Sequence, residues 1–112
     1  MAQPILVAVY RKEVNMMITP EEVLGNNGYD IESLEEDGTV LFRNPDYVTA
    51  ICGVTYNNEV VYDFEKMVEY LIKYEDMNYD EAIDFIYYNA SFGMSGYKMP
   101  IIMYPIEHHE EC

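Results

Sequence analysis

The donor groups best suited to metal chemistry stand together in His108-His109-Glu110-Glu111-Cys112: two imidazoles, a thiol and two carboxylates. Such groups take zinc or another transition metal, with His108, His109 and Cys112 as candidate ligands. Their spacing matches no established zinc pattern, and a chain end seldom holds a site rigid by itself. A polar tail over residues 106–112 with no cofactor is therefore the plainer expectation, and a small metalloprotein is the third-ranked reading. Carboxylates are far more numerous, 21 Asp and Glu against 6 Lys and Arg. Paired acids can serve as general acid and base, but only where a pocket drives their pKa values apart, which spacing alone does not reveal. The chain has no Gly-rich phosphate loop, no GxSxG and no HExxH. A nucleophilic Cys52 would need a histidine nearby, and both histidines lie in the tail. The expectation is a protein that is not an enzyme.

Recognition is a better use for this charge. The formal net charge of −15 is spread from Glu13 to Glu111. Such a surface repels phosphate backbones and anionic lipids, so direct nucleic-acid or membrane binding would need a basic patch. Arg11-Lys12 is the only adjacent basic pair, while Arg43, Lys66, Lys73 and Lys98 stand isolated among acids. The field favours a basic partner and salt-sensitive association. Carboxylates spaced along a rigid surface can imitate the phosphates that a basic groove accepts. The candidate contacts are Glu32, Glu35, Glu36 and Asp37 in one stretch and Asp76, Asp80, Glu81 and Asp84 in another, with Tyr87 and Tyr88 as aromatic anchors. A face that is charged only for solubility, with tyrosines packed at its boundary, is the plainer account of the same residues. Twelve tyrosines without a tryptophan also suit a surface that joins copies of the chain into a homo-oligomer.

At 112 residues the expectation is one domain around one core. Ile5 to Tyr10 reads as a strand, too short for a signal sequence or membrane span and with no basic residues before it, so a cytoplasmic setting is expected. Cys52, within Ala50-Ile51-Cys52-Gly53-Val54, reads as a small buried hydrophobe with no disulfide to Cys112. Thr19-Pro20-Glu21-Glu22 starts a helix that Gly25-Asn26-Asn27-Gly28 stops. Tyr29 to Asp37 suits either a helix or a solvated segment. Thr39 to Arg43 predicts a strand, and Asn44-Pro45-Asp46 a turn. Ala50–Tyr56 and Glu59–Tyr62 around Asn57-Asn58 predict a hairpin. Asp63 caps a helix with Phe64, Met67, Val68, Leu71 and Ile72 on one face, and Asn78 with Glu81 opens another, with Tyr79, Ala82, Ile83, Ile86 and Ala90 as its stripe. Two such helices invite a helix-turn-helix reading, but the acids on the second would repel DNA. Pro100 to Pro105 predicts an edge strand. Together these give an α+β fold in which a small, mainly antiparallel sheet packs against a C-terminal two-helix hairpin.

Val60-Val61-Tyr62-Asp63 with Lys66-Met67-Val68, then Tyr79-Asp80-Glu81-Ala82-Ile83-Asp84-Phe85-Ile86 leading to Tyr88-Asn89, and finally Pro100-Ile101-Ile102-Met103-Tyr104, resemble a pattern found in a group of small acidic proteins of bacterial and phage genomes. With Gly53-Val54 these segments cover about half of the chain; the first 45 residues stand apart from them. Ala90-Ser91-Phe92-Gly93-Met94 replaces a Thr and a longer aromatic, proline-containing segment, so a function of that loop does not carry over. The resemblance implies a phage or mobile-element setting, where small acidic inhibitors of host defence include anti-CRISPR proteins that occupy basic nucleic-acid channels. The leading expectation is an inhibitor of a basic host protein such as a CRISPR effector nuclease. A self-associating structural or regulatory protein of a mobile element is the alternative.

Overall fold

The computed structural model describes residues 18–90 and 96–106. The predicted strand over Ile5–Tyr10, the Arg11-Lys12 pair and the candidate ligands His108, His109 and Cys112 lie outside the described residues. What is described is an α+β arrangement of four helices and a small three-stranded mixed sheet.

Two short helices come first. In α1 (Pro20–Asn26) the Thr19 hydroxyl accepts from the Glu22 amide at 3.1 Å, and the Glu22 carboxylate accepts from the Thr19 amide at 2.9 Å. This reciprocal cap satisfies two amides that a helix start otherwise leaves without partners. In α2 (Ile31–Glu36) the Asp30 carboxylate accepts from the Glu32 amide at 3.2 Å, a cap that resolves the ambiguous stretch as helix. Gly38 follows at φ +83°, a left-handed conformation that costs glycine little. A β-carbon there would also come within 3.3 Å of the Gly96 carbonyl oxygen.

The predicted strand over Thr39 to Arg43 does not form. Thr39 makes a single parallel bridge to Lys98, and the Val40 amide donates to the Lys98 carbonyl at 2.9 Å. The Phe42 amide donates instead to the Tyr62 hydroxyl at 3.2 Å. A side chain thus takes a bond that a neighbouring strand would otherwise supply, and the β-rich composition of the segment goes into packing.

A 3-10 turn (Val48–Ala50) leads into β1 (Ile51–Val54), which pairs antiparallel with β2 (Val60–Asp63). The connection is closed by the Thr55 amide on the Glu59 carbonyl at 2.8 Å and the Asn58 amide on the Thr55 carbonyl at 3.0 Å. Asn58 takes the positive φ, 67°, that the predicted turn required of its asparagines. A bulge between Ile51 and Gly53 interrupts the ladder at Cys52. This overturns the expected burial of Cys52: the extra residue falls out of the inward and outward alternation, and its side chain is exposed.

The third strand, β3 (Ile101–Met103), pairs with β2 in parallel, Val61 with Ile101, Tyr62 with Ile102 and Asp63 with Met103. The sheet is therefore mixed, not mainly antiparallel. A parallel neighbour requires a long crossover, and here two helices supply it. They are α3 (Phe64–Tyr74) and α4 (Tyr79–Asn89). The expectation of a C-terminal hairpin laid on the sheet is corrected accordingly. The helices lie between β2 and β3 in the chain; α3 packs on the 3-10 turn and β2, and α4 packs on α3.

Asp63 ends β2 and caps α3 at once, its carboxylate accepting from the Lys66 amide at 3.1 Å. Phe64, Met67, Val68 and Leu71 are buried as the spacing predicts, but Tyr70 takes the place expected of Ile72, which is exposed. Asn78 and Glu81 form the predicted capping box of α4, with bonds of 2.8 and 2.9 Å. Ala82 and Ile86 are its buried residues, and Tyr79 is exposed.

The buried residues form one cluster that includes an aromatic group of Phe42, Tyr47, Tyr62 and Tyr70. Phe42 meets Tyr62 at 4.8 Å and Tyr47 at 5.3 Å between ring centroids, both edge to face. The Tyr70 hydroxyl donates to the Asp46 carboxylate at 3.2 Å. Burial pushes the phenol pKa of Tyr47 and of Tyr62 up to about 12 and raises that of Tyr70 as well. A phenol that resists ionisation when folded contributes stability that is complete below its unfolded pKa of about 10 and is lost as pH rises through the folded value. Alkaline titration followed by circular dichroism and tyrosinate absorbance should show cooperative unfolding between about pH 10 and 12. Exposed phenols ionise at about pH 10 without unfolding, so ionisation of all twelve tyrosines in that range with the circular dichroism unchanged would refute the burial. Among the described residues, no helix is long and apolar enough to cross a membrane.

Candidate partner-binding surface

All ten sequence-predicted contact residues are exposed. Asp76, Glu81, Asp84 and Tyr88 line one open depression of about 530 Å³, together with Met77, Phe85 and Asn89. Two local features build it. After the end of α3, Asp76 adopts a left-handed φ of 60°, which turns the chain between the helices. From Asn78 the capping box fixes the start of α4, so Glu81, Asp84 and Tyr88 recur at helical spacing along one side. Asp80 lies one turn before Asp84 and does not line the depression. Tyr87 is carried roughly 100° around the helix from Tyr88. It stacks on Phe64 at 6.2 Å and borders a different depression with Ile102 and Tyr104. A hydrogen bond with Tyr87 holds the Tyr104 phenol pKa above its ordinary value.

The acids of the α2 region are arranged differently. Glu32, Glu35 and Glu36 face solvent. Asp37 accepts from the Asn58 side-chain amide at 3.0 Å and from the Lys98 ammonium at 3.1 Å, and these two partners, Asn58 foremost, hold its carboxyl below the usual range. Among the described residues, no hydrogen bond, ion pair or shared depression joins this group to the acids of α4. The structure thus brings together Asp76, Glu81, Asp84 and Tyr88, and leaves the other candidates apart from them.

Neutralisation is sparse. The ion pairs among the described residues are Arg43 with Glu21 at 2.8 Å and Lys98 with Asp37 at 3.1 Å. A hydrogen bond from Arg43 lowers the Glu21 pKa, and the bond to Glu21 raises that of Arg43. Lys73 lies over the Tyr74 ring at 5.3 Å. The carboxylates on α4 therefore keep their field.

A neighbouring hollow of about 340 Å³ was not anticipated from the sequence. It lies between the segment from Leu41 to Tyr47 and the last turn of α4, and it shares Phe85 and Asn89 with the acidic depression. Phe85 falls outside the stripe of Tyr79, Ala82, Ile83, Ile86 and Ala90, and that displacement is the signal that could have marked it as an aromatic at the margin of the core, where it is half-buried.

Metal chemistry finds no support within the described residues, where no group of three or more His, Cys, Asp or Glu is placed to hold an ion. Cys52 remains as an accessible thiol whose pKa is raised, by partial burial first and by Asp63 second. In a Cys112→Ser background, Cys52 should react with iodoacetamide in the folded protein more slowly than a free thiol at neutral pH, with the gap closing as pH rises. Reaction faster than the free thiol would contradict this environment. No protein-family model, curated protein or solved structure matches the chain.

Proposed function

We propose that this protein binds a basic partner protein through the acidic side of α4 and inhibits it by occupying a cleft that otherwise accepts nucleic acid. The observation that carries this reading is the group Asp76, Glu81 and Asp84 around one open depression beside the exposed Tyr88, with none of the three acids paired to a Lys or Arg among the described residues. Directed pairs from such carboxylates to arginine supply affinity, and the net charge of −15 accelerates encounter. In a bacterial host, a CRISPR effector nuclease is the partner this charge pattern fits, with the chain acting as a phage-encoded or mobile-element-encoded inhibitor. No catalytic step, cofactor or membrane is required. The α2 acids, Glu32, Glu35 and Glu36, add to the long-range field without touching the same cleft.

The test is recovery of partners from host lysate at low and high salt, followed by titration of the purified partner. A nuclease captured at about one to one, released by salt and competed by its own nucleic acid is the expected result. Recovery of nothing but further copies of the chain would end this proposal. A second reading, self-association, is favoured by the exposed Tyr97, Ile101, Tyr104 and Ile106 in and around the edge strand β3. It predicts a stable oligomer whose size does not change with salt.

A further inference from the structure

We infer that the groove along α4 accepts an amphipathic, cationic peptide segment of the partner rather than a uniformly basic surface. This rests on the preceding proposal that the partner is basic, and it specifies the chemistry of the recognised element.

Two adjoining depressions of unlike character have Phe85 and Asn89 in common in their walls, and the proposed groove runs across both. At one end Asp76, Glu81 and Asp84 present carboxylates beside Tyr88, an aromatic 87% exposed. At the other, Leu41, Phe42, Pro45 and Ala90 line a hollow of about 340 Å³. The one cation there, Arg43, is paired with Glu21 at 2.8 Å. An acidic rim leading into an apolar hollow is complementary to a segment that carries Arg or Lys on one part and Leu, Phe or Met on the next. That is the pattern of an amphipathic helix laid in a groove. A segment of Lys and Arg alone, even at the margin of a nucleic-acid cleft, would engage the rim and leave the hollow uncovered, without the added area that a central aromatic contributes.

Three labelled synthetic peptides of equal length separate the cases by fluorescence anisotropy with the full chain: an arginine and leucine peptide amphipathic as a helix, an oligoarginine of the same charge, and a leucine and glutamine peptide without charge. The amphipathic cationic peptide should bind about ten-fold or more tightly than either of the others. Phe85→Ser should remove that advantage, so that the two cationic peptides bind alike, whereas Asp84→Asn should weaken both of them. Circular dichroism of each variant establishes that it folds. Equal binding of oligoarginine, or no effect of Phe85→Ser, would overturn the groove while leaving the acidic-side reading intact. Failure of both cationic peptides to bind would overturn both. Equal binding of the uncharged peptide would overturn the role given to the carboxylates. A dimer of the unliganded protein that Phe85→Ser dissociates would make a second copy the occupant and refute the inference.

Discussion

Reversing two charges on α4, Glu81→Lys with Asp84→Lys, should weaken binding of the basic partner by about 100-fold while leaving the fold in place. Neither carboxylate forms an ion pair within the described chain, and both side chains are exposed. The intramolecular cost is therefore small, about 0.5 kcal/mol for Asp84→Lys and about 1 kcal/mol for Glu81→Lys, which removes the carboxylate that accepts from the Asn78 amide in the capping box of α4. Across the interface each reversal removes an attraction and adds a repulsion. Glu65→Lys with Glu69→Lys makes the control: it changes net charge equally on the exposed side of α3, away from the depression. Calorimetric titration should show the control losing only a few-fold, mostly as a slower association rate. Equal losses from the two pairs would mean that overall charge, and not the α4 side, governs recognition.

The largest effect on the fold is expected at Leu71. Its side chain is fully buried on α3, which packs on the 3-10 turn, β2 and α4. Leu71→Ala should cost about 3 kcal/mol, the transfer of the lost carbons plus the cavity they leave. Against a total stability of about 5–15 kcal/mol for a domain of this size, that lowers the melting temperature by about 10–15 °C. Ile72→Ala, one residue on, removes the same class of side chain from a position 42% exposed and should cost less than about 1 kcal/mol. Thermal melts of the two variants decide the matter, and similar shifts would refute the burial assigned to α3.

The contrast between Leu71 and Ile72 also shows what is legible in a sequence and what is not. The caps at Thr19, Asp63 and Asn78 are legible because each joins groups three residues apart, as are the hairpin around Asn57-Asn58 and the proline-bounded edge strand. Helical spacing places Leu71 and Ile72 on the same broad stripe. Only the location of the 3-10 turn and β2 decides that Tyr70 turns inward and Ile72 outward. The parallel pairing of β2 with β3 joins residues about forty positions apart, beyond any local pattern. Thr39 to Arg43 has strand composition, yet the Tyr62 hydroxyl takes the Phe42 amide, a bond visible only when both are in place. In the same way, the bulge that exposes Cys52 depends on its partner strand. For the surface, the exposure of the acids follows from their chemistry. The row Glu81, Asp84, Phe85 and Tyr88 follows from helical spacing, whereas the addition of Asp76 depends on how it turns the chain, and the meeting of Phe85 with the segment from Leu41 to Tyr47 depends on tertiary packing.

The ladder between β2 and β3 is three residues long, and everything from Phe64 to Pro100 is strung between its two sides. During synthesis, β1 and β2 can pair as soon as their hairpin emerges, but the far side of β2 must wait for Ile101 to Met103. Until those three residues leave the ribosome, the middle strand has an open flank. Both long helices must therefore be synthesised before the last strand can close the sheet.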